Sequence, residues 1–582
     1  MMPFIFDFFK KQPALLVFVL TILIYSPLML NQYVGDDNII IVRNTFYHSW
    51  ENVPRLFEKG YISNTRQINF SSAAQADFGS GSVSYRPASN FTYFFDYFLF
   101  LAKPYGSHLI NIYIHAVNAV LVYLIVSLLF SSSAFGVFAA LLFSLHPIQS
   151  EAVAVMSYRA DIFAAMFVLF SFYFWVKFSQ GGFVRLKYYF GSLAMCFFAL
   201  FSKESSLMLP LVIVLFDQVF VASRLNFKQR AVYYFGFAPI ILFFLYLYFV
   251  VFPNASLFSH WLGGSFVNHC LIMGYIWFFY LTSVLFPWTV KLIPGLYNPP
   301  VPGGVLILTI GSFFIIFMIS VLALWRQSKE AFFFLFWFII FYLPVSNLLP
   351  IANPMAYRFM YLPSIGLVIA LAFYLKKAFS SEFINKYSQY LSSMLYVAVL
   401  LICVLRVLFL NGDWKSNYDV GWAWVRDYPS NYRGYSLLGS EFLMVGNVDK
   451  AKEYLEKGVL LGDRIPYDLL DLGECYMRLG KYQEAEHLFK QMILHYPDYA
   501  DPFFDLGGIY YDQKNFSQAQ DLFEKGLVFD PKRSPIYFLL MNIYSNLHEP
   551  DSAKNLFKKA TKNLEATNVL QLLNLLIKVK KQ

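Results

Sequence analysis

Charge is scarce in this chain. Only 14% of its 582 residues are Asp, Glu, Lys or Arg, while 58% are hydrophobic, with 66 Phe and 42 Tyr. A soluble domain of this length needs far more charge to cover its core, so the excess apolar surface belongs in lipid. Cysteine is scarce too. Cys196, Cys270 and Cys403 lie in apolar runs, where a buried thiol is the ordinary state, and Cys475 stands alone in the tail. Their spacing excludes a disulfide framework and a zinc site. A small-x-small cleavage site is missing after the first apolar run. Lys10 and Lys11 precede residues 13–30, which read as a retained first span rather than a removed signal peptide.

The charge that is present is unevenly placed. Up to Leu410 there are 24 Lys+Arg and 13 Asp+Glu; from Asn411 onward there are 21 and 23. The basic excess therefore lies beside the membrane, which argues against a nucleic-acid partner. Apolar runs recur at 13–30, 108–130, 134–147, 160–176, 188–201, 206–222, 231–252, 268–288, 303–325, 331–349, 363–376 and 392–410. Continuous apolarity over such lengths means helix, and the shorter runs need flanking residues to complete a span. The fold class expected is all-α: a polytopic transmembrane bundle of about 11–12 spans, then a repeat superhelix.

Orientation follows from the basic loops. With the N-terminus cytoplasmic, Lys177, Arg185, Lys187, Arg224, Lys228 and Arg230 fall inside. If 268–288 is re-entrant or crosses an even number of times, Arg326, Lys329, Lys376, Lys377 and Lys386 fall inside as well, giving about 11 net crossings. The tail and the loop between Asn31 and Pro87 then share the outer face. Domains are expected at 1–410 (spans, with an outer catalytic loop at 31–107), 411–431 (connector) and 432–582.

From Tyr432 the chain repeats every 34 residues. Gly439, Gly473 and Gly507 recur, with Met541 in the fourth place, and Ala451, Ala485, Ala519 and Ala553 keep the same register. Tyr476, Tyr510 and Tyr544 follow it, with Phe442 ahead of them, and Pro497 and Pro531 close two units. Small residues where paired helices touch, aromatics between them and proline at the turn make the tetratricopeptide pattern: four units and a capping helix near 566–580. Such an array fits a polypeptide partner.

Ionisable groups at the outer ends of spans are the candidates for chemistry, because charge near hydrocarbon is costly. Asp36 and Asp37 follow the first span; adjacent carboxylates can supply a general base and an orienting group, against the plainer reading of a solvated loop. SYRP at 84–87 brings Arg86. The stretch LHPIQSEAVAVMSYRAD at 145–161 carries His146, Glu151, Arg159 and Asp161. SKES at 202–205 brings Lys203 and Glu204, and PMAYRFMYLPS brings Arg358. Taken alone, His146 is more simply a helix-end histidine than a ligand. Cations gathered on one face suit a lipid phosphate: Arg358 and Lys203 foremost, then Arg159 and Arg86, with His146, Glu151, Asp161 and Glu204 in support. An Asp pair can also hold Mg²⁺ or Mn²⁺, although the sequence identifies no further ligand.

The ordered set GDDNIIIVRN, SYRP, HLINIYIHAVNAVLVYLI, LFSLHPIQSEAVA, SKES and YRFMYLPSIG, followed by the repeats, resembles the transmembrane O-mannosyltransferases with tetratricopeptide repeats, of the GT-C glycosyltransferase superfamily. Bacterial relatives of that group look closer still, which implies a bacterial inner membrane. The resemblance implies a polyprenyl-phosphate sugar donor (mannose, if the family holds), a catalytic Asp in the outer loop and a protein hydroxyl acceptor. Where relatives read Ala-Glu-Arg, this chain has Ala356, Tyr357 and Arg358, so an acidic role at that place is in doubt.

The expected reaction is an inverting glycosyl transfer at the outer interface, with Asp36 as base and Asp37 orienting the donor or a metal. Two rivals remain: transfer to a lipid or glycan acceptor, and a non-enzymatic membrane-anchored repeat scaffold. A transporter would need acids in mid-span, and the main charge there is Arg406.

Overall fold

The computed structural model describes residues 11–42, 44–57, 85–221, 226–251, 261–293, 301–351, 353–379, 386–462 and 466–579. Every regular element among them is helical. They form two compact units, one running to Ala423 and one from Trp424.

The first unit is the membrane bundle: α1 (Pro13–Tyr25), α2 (Pro87–Phe100), α3 (Pro104–Phe130), α4 (Ser133–Ser144), α5 (Ser150–Ala154), α6 (Arg159–Gln180), α7 (Leu186–Ser202), α8 (Leu209–Phe220), α9 (Phe227–Phe235), α10 (Ala238–Tyr246), α11 (Phe266–Leu285), α12 (Gly304–Gln327), α13 (Lys329–Tyr342), α14 (Tyr361–Phe379) and α15 (Lys386–Asp413). Among the described residues 7 helical stretches are long and apolar enough to cross a bilayer, and α4 with the stretch ending in α5, bent by 49°, makes 8. The larger number expected from sequence includes helices of 17, 12 and 14 residues, α7, α8 and α13. The 3-10 turns Glu204–Met208 and Leu343–Val345 lengthen α8 and α13, which is how such short runs approach spanning length.

Two expectations need correction. Residues 31–107 are not one loop, because α2 is a 14-residue helix started by Pro87, whose missing N–H costs nothing at the first helical position. Residues 58–84 of that stretch lie outside the described residues. Cys270 is exposed rather than buried: in a lipid-facing chain an apolar neighbourhood does not imply the interior, since a helix turns one apolar face outward.

The ends of the bundle are fixed by polar side chains. At one end Asn31 donates to the carbonyl of Asn411 (2.8 Å), and α1, α2, α6, α7 and α14 begin or finish nearby. At the other, Asp217 accepts from Trp175 (3.0 Å) and Tyr234 (2.8 Å). The starts of α11 and α12 lie close together, since a Cβ on Gly263 would stand 3.1 Å from Val301. Phe279 and Tyr280 pack on Tyr357, and His146 reaches Val284, so the inner end of α11 stops at the level of the candidate site.

Past α16 (Asn417–Asp427), the second unit is a row of helix pairs: α17 (Tyr432–Met444) with α18 (Val448–Leu461), α19 (Pro466–Arg478) with α20 (Tyr482–His495), α21 (Asp501–Asp512) with α22 (Phe516–Phe529), α23 (Ser534–Asn546) with α24 (Pro550–Asn563), then α25 (Ala566–Val579). The 34-residue register has a steric cause. A Cβ on Gly439, Gly473 or Gly507 would stand 2.5, 2.4 or 2.6 Å from Leu455, Phe489 or Phe523 of the paired helix. The turn between paired helices repeats too: Gly446, Gly480, Lys514 and His548, each 34 apart, all have positive φ.

Replacing Gly507 by Val should therefore force α21 and α22 apart, at about 1–3 kcal/mol. Differential scanning of the full chain should show a lowered repeat transition. Gly508→Ala, at a position with nothing within 4 Å, should leave it in place. Equal midpoints for the two variants would refute the packing argument.

Candidate active site

The candidate residues sit where helices start and stop, because apolar periodicity ends there and the chain can turn. Arg86 precedes Pro87. Glu151 and Asp161 stand in the first turns of α5 and α6, where a carboxylate meets unpaired backbone N–H groups. Lys203 is the extended residue (φ −159°, ψ 138°) between α7 and the turn that opens at Glu204. Arg358 lies in the 3-10 turn Tyr357–Met360 ahead of α14.

Three ion pairs connect these termini. Arg86 grips Glu204 through two bonds (Nε 3.1 Å, Nη2 2.7 Å). Lys203 pairs with Asp161. Arg358 Nη1 pairs with Glu151 at 2.5 Å, and the other oxygen of Glu151 accepts from the amide of Tyr357 at 2.8 Å. The carboxylate beside Arg358 is therefore that of Glu151. With the Asn353 amide turned so that its nitrogen meets the Met355 carbonyl, its oxygen accepts from Arg358 Nη2 at 3.1 Å. Asp161 also lies within electrostatic reach of Arg86 and Arg358, so the pairs form one array.

Aromatic rings line the array. The Arg358 guanidinium stands 3.8 Å from the Tyr158 ring centroid and 5.1 Å from that of Phe359, and Lys203 lies 5.5 Å from Phe359. A cation on an aromatic face is held without using its N–H groups. Tyr158 is also within the electrostatic reach of Asp36 and Asp37, so it stands between the acidic loop and the cations.

The two aspartates differ. Asp37 is fully buried; it accepts from the amides of Ser157 (2.7 Å) and Val34 (3.3 Å) and so fastens the first loop to the turn before α6. Burial pushes its carboxyl up to about 6, against the downward pull of bonds to Ser157, Val34 and Met156. Asp36 is half-buried, and is the one of the pair that a substrate can reach.

Two expected site residues have other work. Arg159, expected at a phosphate, is sealed inside. Nε bonds Asn111 (2.7 Å), Nη1 bonds Thr92 (3.1 Å) and Asp96 (2.5 Å), and Nη2 bonds Asp96 (3.0 Å) and the Ser107 carbonyl (3.2 Å). These use all five N–H groups of a guanidinium, and none remains for a ligand. His146 is also committed: Nε2 donates to the Val284 carbonyl (3.0 Å) and Nδ1 accepts from the Ile148 amide (3.3 Å). It caps a short turn. Among the described residues no group of three His, Cys, Asp or Glu side chains could hold a metal. Asp37 already accepts one amide on each oxygen, so of the pair Asp36 offers the more open carboxylate.

Sequence reasoning missed Asp96, the partner of Arg159. A signal was present, since an aspartate inside FTYFFDYFLF must have a partner to be tolerated. Tyr158, Asn353 and the Ser157 amide gave none, because each matters only through its neighbours.

A carboxyl with a raised pKa contributes stability below its ordinary value of about 4 that is lost as pH rises through about 6. Raising the pH from about 5 to about 7.5 should therefore lower the thermal midpoint of the wild type more than that of Asp37→Asn. Parallel pH dependences in purified protein would contradict the burial of Asp37.

Comparison with known proteins follows the same division. The family described as Dolichyl-phosphate-mannose-protein mannosyltransferase matches residues 97–249, and the Tetratricopeptide repeat family matches 476–538. A protein O-mannosyl-transferase of Caenorhabditis elegans is 24% identical over 444 residues, 73% of this chain and 59% of that protein. One of Mus musculus is 24% identical over 522 residues, 82% of this chain and 54% of that protein. One of Homo sapiens is 32% identical over 162 residues, 28% of this chain and 16% of that protein. The chain thus spans 54–59% of the length of the first two. Among solved structures, the crystal structure of MamA covers 25% of this chain and 88% of its own at 23% identity, with a TM-score of 0.24, too low to bear on the fold.

Proposed function

We propose that this chain, a relative of the transmembrane protein O-mannosyltransferases with tetratricopeptide repeats, is a membrane glycosyltransferase that moves a sugar from a polyprenyl phosphate to Ser/Thr hydroxyls of a polypeptide. One observation carries the reading: a reachable carboxylate, Asp36, shares one end of the bundle with three preplaced cations, Arg86, Lys203 and Arg358, each held by its own carboxylate.

In the proposed step Asp36 takes the proton of the acceptor hydroxyl as its oxygen attacks the anomeric carbon. The bond from that carbon to the phosphate oxygen breaks, its electron pair stays on the phosphate, and the anomeric configuration inverts. Arg358 and Lys203 stabilise the growing negative charge, with Arg86 further along the array. Fixed donors aimed at developing charge need no reorganisation during reaction. Asp37, buried and doubly bonded, keeps the loop that bears Asp36 in place. The repeats recruit the acceptor, which favours a polypeptide over a glycan.

The other end of the bundle supports a non-cytoplasmic orientation of the site. Arg185, Lys187, Lys228, Lys329, Lys376 and Lys377 are exposed at or beside the far ends of α6 to α9, α13 and α14, whereas Arg86, Lys203 and Arg358 are paired internally. The positive-inside rule sets that far end in the cytoplasm.

Purified protein should transfer label from one of a panel of polyprenyl-phosphate sugars to a secreted acceptor. Asp36→Asn should lower turnover by about 100-fold or more with donor binding intact. Arg358→Ala should instead weaken donor binding by about 1.5–3 kcal/mol. Full activity of the Asp36→Asn/Asp37→Asn double variant would end the catalytic assignment. Removal of residues 432–582 should abolish modification of a folded protein while donor binding persists; unimpaired modification would return the scaffold and glycan readings.

A further inference from the structure

The turn joining α5 to α6 has two functional contacts. The Ser157 amide donates to Asp37, and the next residue, Tyr158, places its ring against Arg358. One short piece of irregular backbone therefore touches both the loop of the candidate base and the cation of the candidate phosphate site.

That backbone is gripped from behind by groups that the proposed chemistry does not use. Asn111 Nδ2 donates to the carbonyls of Val153 (3.2 Å) and Val155 (3.4 Å). The Tyr93 hydroxyl is shared between the carbonyls of Met156 and Ser157, 3.3 Å from each. Arg159, the last residue of the turn, is locked to Asp96 and to the oxygen of the same Asn111. Its guanidinium also lies 5.1 Å from the Tyr93 ring centroid. Three carbonyls of the irregular segment and one at the end of α5 are thus supplied with donors by two side chains, each also in contact with Arg159. Satisfying buried carbonyls requires donors of some kind. It does not require that the turn be fastened at both the residue bearing on Asp37 and the residue before it.

We propose that Tyr93, Asn111 and the Arg159–Asp96 pair are positioning residues that hold the 155–158 turn, so that the Asp36–Asp37 loop and Arg358 keep a fixed separation while sugar is transferred. The inference rests on the glycosyl-transfer reading of that loop. The path runs from Tyr93 through the Ser157 backbone to Asp37 and so to Asp36. Arg86, held by Glu204, lies outside it.

Tyr93→Phe removes the hydroxyl and keeps the ring that packs on Tyr47. In the full chain, with polyprenyl-phosphate mannose and a secreted Ser/Thr-rich acceptor as probes, kcat should fall about three- to tenfold, the worth of one net hydrogen bond. Donor KM should stay at its wild-type value, and the thermal midpoint should fall by no more than one lost hydrogen bond accounts for. In a double-mutant cycle Tyr93→Phe should cost little more in the Asp37→Ala background, where the acceptor for the Ser157 amide is removed, and its full factor in the Arg86→Ala background. An unchanged kcat, an equal cost in both backgrounds, or a loss accompanied by a higher donor KM overturns the proposal. Failure of the underlying reading looks different, since the Asp36→Asn/Asp37→Asn double variant would then be fully active. An inactive Asp36→Asn with an additive Tyr93→Phe removes the positioning role alone.

Discussion

The Arg159–Asp96 ion pair, sealed from solvent within the helices, is the contact around which the site end of the bundle is organised. An ionised pair in such surroundings survives only if its hydrogen-bonding capacity is met, and removing one partner from a buried pair costs about 3–5 kcal/mol. Here Asp96 and Thr92 come from α2, Asn111 and Ser107 from α3, and Arg159 opens α6. The need to satisfy one guanidinium thus fixes three helix ends relative to one another. Every group of the candidate site attached to those ends inherits that geometry.

The same constraint, in milder form, shapes the rest of the site. Arg86, Lys203 and Arg358 stand close to hydrocarbon, and each is matched with a carboxylate from another element. The pairing neutralises the array in the absence of substrate, yet leaves the cations on rigid termini instead of mobile loops. Asp37 is the departure. It is buried against amide donors rather than a cation, and that burial raises its pKa. Local cost at a point where two chain segments must be held together is what a functional loop is expected to show.

The repeats obey a different and simpler rule. Each glycine of the register touches the neighbouring helix of its own pair, and each left-handed turn residue joins the two helices of one pair. Interactions this local recur in the sequence at a fixed period, which is why the 34-residue pattern and its four units could be read directly. The spans were legible for a related reason: lipid demands continuous apolarity and leaves helix as the means of satisfying the backbone. The count was less legible. Length and apolarity measure a helix and not its depth, and only the structure shows the starts of α11 and α12 meeting through Gly263 and Val301.

For the site, the sequence by itself determined which ionisable groups stand at helix ends, because apolar runs stop there. It thereby identified Asp36, Asp37, Arg86, His146, Glu151, Arg159, Asp161, Lys203, Glu204 and Arg358 as one collection. Only the tertiary structure decided how they divide. Arg159 and Arg358 are alike in a list of residues and opposite in position: one has its five N–H groups closed by α2 and α3, the other lies on Tyr158 at the edge of the array. Asp36 and Asp37 are chain neighbours, yet one is half-buried and the other fully enclosed. The physical reason is that the role of a charged side chain is set by its partners, and here the decisive partners lie tens to hundreds of residues away in the chain, beyond what composition or periodicity can express.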